Sequence, residues 1–205
     1  MKAISVAGKV RTQVKRMRKA QPFTLDCFGS LGTNNQHAVR LAISRMVRRG
    51  ELKRVYRGVY MRPKQSPYVG SVRTNAIEVA RVLAKKHGHT LQVHGAEAVR
   101  RLGLSTQMQL TPIYYTSGPS CIIKIGRSSV RLQHKSPTWF QHADSKVGLV
   151  ITALLYLGPK AWTIKTLSIV EKQLTAPELR RLRASQLPKW ASTFIETLST
   201  LPNQT

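Results

Sequence analysis

Between positions 33 and 57 lies a run of side chains able to read a nucleic acid. Thr33, Asn34, Asn35, Gln36, His37, Arg40 and Ser44 offer hydrogen-bond donors and acceptors, and Arg45, Arg48, Arg54 and Arg57 add cations beside them. The amides of Asn and Gln match the adenine edge, a guanidinium matches guanine, and hydroxyls suit either. On a structural helix the same face is simply solvated, and such a face ordinarily mixes both charge signs. Here Arg40, Arg45, Arg48, Arg49, Lys53, Arg54, Arg57, Arg62 and Lys64 meet a single carboxylate, Glu51. Phosphates relieve that repulsion and release counterions as they do so.

Other chemistries find less material. A nuclease or nucleotidyltransferase needs neighbouring carboxylates to hold a divalent metal. The acids are Asp26, Glu51, Glu78, Glu97, Asp144, Glu171, Glu178 and Glu196, and none pair as D-x-D. Gly70-Ser71 superficially resembles a nucleotidyltransferase opening, but no carboxylate pair follows it. His87, His89, His94, His134 and His142 lack companions at metal-ligand spacing and suit surface or hydrogen-bonding roles. No phosphate-cradling or dinucleotide-binding glycine pattern occurs, and no nucleophile elbow organises a Ser, His and Asp. The reading is therefore a non-enzyme without metal or cofactor. Cys27 and Cys121 lie far apart within apolar patterns and read as buried free thiols of a reducing cytoplasm.

The elements around the polar run give it a setting. Apolar positions Ile4, Ala7, Val10, Val14 and Met17 recur on one face of a basic segment, which predicts a helix over Ile4 to Lys19. Gln21-Pro22 ends it. Thr24 is placed to cap a short second helix, with Phe23 and Phe28 as core candidates. Gly29, Ser30 and Gly32 make a turn. Thr33 or Asn34 then caps a third helix that runs to about Arg49 and stops at Gly50. Its stripe of Val39, Ala42, Ile43, Met46 and Val47 packs inward, which turns Asn35, Gln36, His37, Arg40 and Ser44 outward. Leu52 to Tyr56 and Val59 to Met61 read as a hairpin turning at Arg57-Gly58, where glycine supplies a positive φ. Tyr56 and Tyr60 read as hairpin-to-core packing.

Lys64 to Gly70, with Pro63 and Pro67 around it, reads as a linker, and a second unit begins near Ser71. Its first element is an amphipathic helix, Thr74 to Lys86. A short strand at Leu91 to Val93 and a helix at Gly95 to Leu102 follow. Three strands are expected at Pro112 to Thr116, Cys121 to Ile125 and Val130 to Gln133. From Ser145 the pattern is helical, over Lys146 to Leu157, Trp162 to Leu174, Ala176 to Ser185 and Lys189 to Leu198.

The whole chain has 205 residues, with 34 Lys and Arg against 8 Asp and Glu, a formal charge of +26. A hydrophobic fraction of 41% is ordinary for a folded protein, so the charge reflects surface imbalance rather than disorder. A polyanion is the natural partner for such a surface. No stretch approaches the roughly 20 apolar residues that span a bilayer. The basic N-terminus also lacks the apolar core and cleavage site of a signal peptide. A cytoplasmic, nucleoid-associated chain without membrane contact is expected.

Several motifs resemble a known family. A basic helix, F-T-x-x-x-F (Phe23 to Phe28), a glycine turn, S-R-M-V-R-R-G-E-L (Ser44 to Leu52) and V-Y-R-G-V-Y-M-R-P (Val55 to Pro63) resemble the winged helix of AbiEi-type antitoxins and their plasmid- and phage-borne relatives. The Thr74 to Lys86 helix, V-H-G-A-E-A-V-R-R-L-G-L-S-T-Q (Val93 to Gln107), I-Y-Y-T-S-G (Ile113 to Gly118) and I-K-I-G-R (Ile123 to Arg127) extend the likeness over about residues 4 to 160. The resemblance implies an autorepressor that binds operator repeats, and an antitoxin that counters a nucleotidyltransferase-like toxin in a type IV toxin–antitoxin pair.

The expectation is thus an α/β (α+β) protein of two domains. Residues 1–64 form a winged helix-turn-helix, and residues 71–205 form a mixed α/β domain with a helical C-terminal end. The partners are double-stranded DNA, a homodimer mate on a two-fold operator, and the toxin. Two alternatives stand beside this: a solo plasmid- or phage-borne regulator, and a protein that grips structured RNA.

Overall fold

In a computed structural model the chain is mixed α/β with a helical C-terminal end. The structure describes residues 5–68 and 70–197, the side chains of Thr33 and Thr197 excepted. Ile4 and Leu198, expected at helix ends, lie outside the described residues. Two compact units emerge: Met1–Gly88 with Ile122–Val130, and His89–Cys121 with Arg131–Thr205.

The first unit opens on α1 (Val6–Arg16), which buries Val10 and Val14. It ends where Met17 turns extended, earlier than Lys19. Strand β1 (Pro22–Thr24) follows. The expected short α-helix is instead a 3-10 segment, Leu25–Leu31, which still buries Phe28. Glycines at 29 and 32 favour the tighter turn over a propagated α-helix. A second 3-10 turn, Thr33–Asn35, leads into α2 (Gln36–Arg48), whose Val39, Ala42, Ile43 and Met46 are buried. Then β2 (Lys53–Tyr56) and β3 (Val59–Met61) form the hairpin, with Gly58 at φ 73°.

The three strands make a sheet in the order β1-β3-β2, all antiparallel, with a bulge between Arg54 and Tyr56. The core joins the two helices to the 3-10 segment through Val10, Val14, Phe28, Ile43, Met46 and Leu52. Tyr60 packs against it at 6.3 Å from the Phe23 ring, as expected for this residue of the hairpin.

The segment expected to be a linker folds as a small antiparallel pair, β4 (Gln65–Ser66) and β5 (Gly70–Ser71). Helix α3 (Ala76–Lys86) then packs on β1 and β3, so the first unit runs to Gly88 rather than ending at residue 64. The apolar face of α3 is covered here: Ala76, Val79 and Ala80 are fully buried. Segment 122–130 groups with this unit too, and the Ala76 N–H donates to Ser128 Oγ at 3.0 Å.

In the second unit β6 (Leu91–Val93) pairs antiparallel with β7 (Ile113–Thr116). Parallel to β7, in register Ile113↔Arg131, runs β9 (Ser128–His134), which follows β8 (Cys121–Ile125). The helices are α4 (Gly95–Arg101), α5 (Lys146–Leu157), α6 (Ile164–Glu171), α7 (Ala176–Arg183) and α8 (Lys189–Thr197). Helix α5 is apolar nearly all round and is the centre of the core, with Val147, Val150, Ile151 and Leu154 buried among residues of α4, α6, α7 and α8. No helix among the described residues is long and apolar enough to cross a membrane.

Candidate nucleic-acid interface

The inward stripe of α2 leaves a broad arc in solvent. Gln36, His37, Arg40, Ser44, Arg45 and Arg48 are all exposed along it, and so is Asn34 in the preceding turn. Arg54 on β2 and Arg57 at the hairpin tip are exposed as well. Two residues depart from this picture. Asn35 is half-buried, and its Nδ2 donates to the Leu31 carbonyl at 2.6 Å. That bond anchors the entry to α2 and removes the amide from any base-reading set. Thr33 is in the turn, but its side chain lies outside the described residues.

Position Asn35 also serves as the N-cap of α2, in place of Thr33 or Asn34, yet no side chain caps the first turn. The positive end of the helix dipole favours an anion there. Beside that end opens a recess of about 320 Å³, lined by Phe28, Gln36, Val39, Arg40, Gly58 and Lys86. The helix start, the hairpin tip and the end of α3 therefore converge on one place. Asp26 sits on its rim, its carboxylate accepting from Thr24 Oγ1 at 2.8 Å.

Two contributors escaped the sequence reading. Leu41, 39% exposed, stands within the polar arc. An exposed leucine there can meet a thymine methyl, the apolar mark of the major groove. Lys86 arrives from a helix assigned by sequence to the other domain, so no local pattern announced it. On the far side of α2, Glu51 answers Arg11 at 3.1 Å and Arg49 at 3.8 Å, which leaves the arc itself without a carboxylate partner among the described ion pairs.

The cysteines differ from expectation. Both Cys27 and Cys121 are free and exposed. Cys27 faces solvent as a residue, but its thiol tucks in to donate to the Thr24 carbonyl at 2.9 Å. Local burial of the sulfur, with Asp26 adding to it, pushes the thiol up to about 11, so it is protonated at neutral pH. Among the described residues no group of three or more His, Cys, Asp or Glu could hold a metal ion.

Among the histidines expected in surface or hydrogen-bonding roles, His94 takes a hydrogen-bonding one. His94 Nδ1 accepts from the Ala96 N–H at 3.2 Å, capping α4, and lies 2.6 Å from Gln109 Nε2. Its ring sits 4.9 Å from that of Tyr115 and 5.2 Å from that of Tyr156. Lys135 covers the neighbouring Trp139 ring at 4.6 Å.

Residues 9–181 match a family of unknown function, DUF6088, and the chain belongs to that family. No curated protein and no solved structure matches the chain.

Proposed function

We propose that this chain is a sequence-specific DNA-binding regulator whose first unit works as a winged helix-turn-helix. In this reading α2 enters the major groove, and the β2–β3 hairpin is the wing. The reading is carried by one observation: the polar, arginine-bearing arc of α2 lies open to solvent beside the hairpin tip. Gln36 and Arg40 stand in the first turns, where recognition helices reach base edges. Arg45, Arg48, Arg54 and Arg57 hold phosphates. The likeness to AbiEi-type antitoxins extends the proposal to autorepression in the cytoplasm and, for the second unit, to countering a toxin. Co-expression with the product of the adjacent gene tests that extension.

Gel shifts with operator and scrambled duplexes test the core of it. Arg40→Ala and Gln36→Ala are each expected to lower the specific-to-nonspecific affinity ratio by about 1–3 kcal/mol. Asn35→Ala is the internal control: it loosens the entry to α2 but leaves the ratio alone, because its amide is already spent on Leu31. Arg57→Ala weakens both duplexes alike and lowers the salt slope by about one unit. Equal losses on operator and scrambled duplex for Arg40→Ala would show that α2 reads no bases. Preference for an RNA duplex of equal length would favour the RNA alternative.

A further inference from the structure

The first unit carries a second cationic surface that the reading face does not use. A groove of about 640 Å³ is lined by Arg18, Lys19, Lys64 and Arg81, with Glu78 as the one carboxylate. All four cations are exposed, and none belongs to an ion pair among the described residues. Glu78 is engaged locally, accepting from Thr74 Oγ1 at 2.6 Å. The groove therefore carries four cations against one carboxylate and is net positive.

Its walls are held in place. Arg62 Nη1 donates to the carbonyls of Lys15 at 2.7 Å and Met17 at 2.6 Å. The Ala20 N–H returns a bond to the Arg62 carbonyl at 2.9 Å, and Ala20 itself is kept at φ 61°. A buttressed loop thus presents Arg18 and Lys19 opposite Arg81 on α3. Positive φ at a non-glycine residue costs about 1 kcal/mol or more, so the surrounding bonds must hold it there.

Placement separates this groove from the reading face. The β1–β3 register puts Thr24 opposite Val59 at the hairpin-tip end, and Pro22 opposite Met61 at the other end. The recess beside α2 takes Leu25 and Phe28, beyond the first of these ends, whereas the groove takes Gln21 and Pro22 at the second. The two share no residue. Along α3 the eight steps from Glu78 to Lys86 span about 12 Å at 1.5 Å per residue.

We propose that the Arg18, Lys19, Lys64 and Arg81 groove is a second phosphate-backbone site, and that it takes a segment of duplex other than the one read by α2. A duplex on α2 and the hairpin tip meets the sheet at its Thr24 end. Phosphates held at the Pro22 end are assigned to another segment, so that the protein bridges DNA. The inference rests on the DNA-binding reading above.

A bead-capture assay tests it: one duplex is immobilised, and protein-dependent recovery of a second, fluorescent duplex of unrelated sequence is measured. Wild-type protein is expected to recover the second duplex. Combined substitution of Arg18→Gln, Lys19→Gln and Arg81→Gln is expected to cut recovery about tenfold and lower its salt slope by about three units, with single-duplex affinity held within about twofold. Lys64→Gln, on a different segment, gives a smaller loss in the same direction, and an unchanged thermal midpoint excludes unfolding in either variant. Recovery that survives the triple substitution overturns the proposal. So does a parallel loss of recovery and single-duplex affinity, which would fold the groove into one footprint. A wild-type protein that shifts one duplex but recovers no second overturns the bridging alone, whereas one that shifts no duplex overturns the DNA-binding reading with it.

Discussion

His94 and Glu97 stand three residues apart at the start of α4 and respond to acid in the same sense. Two donors, the Ala96 N–H and Gln109 Nε2, converge on His94 Nδ1, which places the ring proton on Nε2. Burial, and then the Lys135 ammonium, hold His94 below its ordinary 6.5. The Glu97 carboxylate accepts from Arg100 at 2.8 Å and Arg101 at 2.7 Å and is drawn down to about 2, chiefly by the Arg100 hydrogen bond. In both cases the unfolded chain binds the proton at a higher pH than the folded one, so stability falls as pH falls. The His94 contribution is complete above 6.5 and is lost below it, and the Glu97 contribution starts to go below 4.5. Part of the Glu97 side chain still meets water, so screening leaves about 1 kcal/mol for its ion pairs. Thermal midpoints across pH check this. His94→Asn, which keeps a capping side chain, is expected to flatten the first decline and leave the second; a flat wild-type profile between about pH 7 and pH 5 would remove His94 from the account.

At the scale of elements, α4 and α5 approach closely because Gly95 has no side chain. A Cβ at Gly95 would run into the Tyr156 ring near its root rather than at a flexible tip. Gly95→Ala is therefore expected to cost about 1–3 kcal/mol through overpacking, despite the better helix propensity of alanine. Urea unfolding decides the point, since a neutral or stabilising result would mean that Tyr156 swings aside freely. Such closeness is not written in a local pattern, and the same holds for much of what lies near the candidate interface. Periodicity was enough for α2, because Val39, Ala42, Ile43 and Met46 recur at helical spacing, and enough for the hairpin, because Gly58 sits between two β-prone runs. The amphipathic pattern of residues 74–86 showed that α3 buries a face but not which surface covers it, so its docking on β1 was hidden. Asn35 looked like a base reader because the Leu31 carbonyl becomes its partner only after the 3-10 turns bring the two together. Prolines 63 and 67 suggested a linker, yet both flank or join strands short enough to tolerate them.

For the whole molecule the dominant quantity is the charge of +26, and salt acts on it in two opposite ways. Only 8 Asp and Glu face 34 Lys and Arg, so most cations repel one another without an anion of their own. Sodium chloride shortens the reach of that repulsion, to about 10 Å at 0.1 M and about 3 Å at 1 M, and is expected to raise the thermal midpoint of the free protein. On the DNA-binding proposal, the same salt removes the entropic gain of counterion release and is expected to weaken duplex binding steeply. A polyanion supplies its own relief: bound duplex is expected to raise the midpoint most at low salt, with the increment shrinking as salt rises. Differential scanning of free and duplex-bound protein over a salt series measures both trends at once. A midpoint of the free protein that falls or stays level with added chloride would mean that the cations are already spaced widely enough not to interact. The fold would then carry no electrostatic strain for a bound polyanion to relieve.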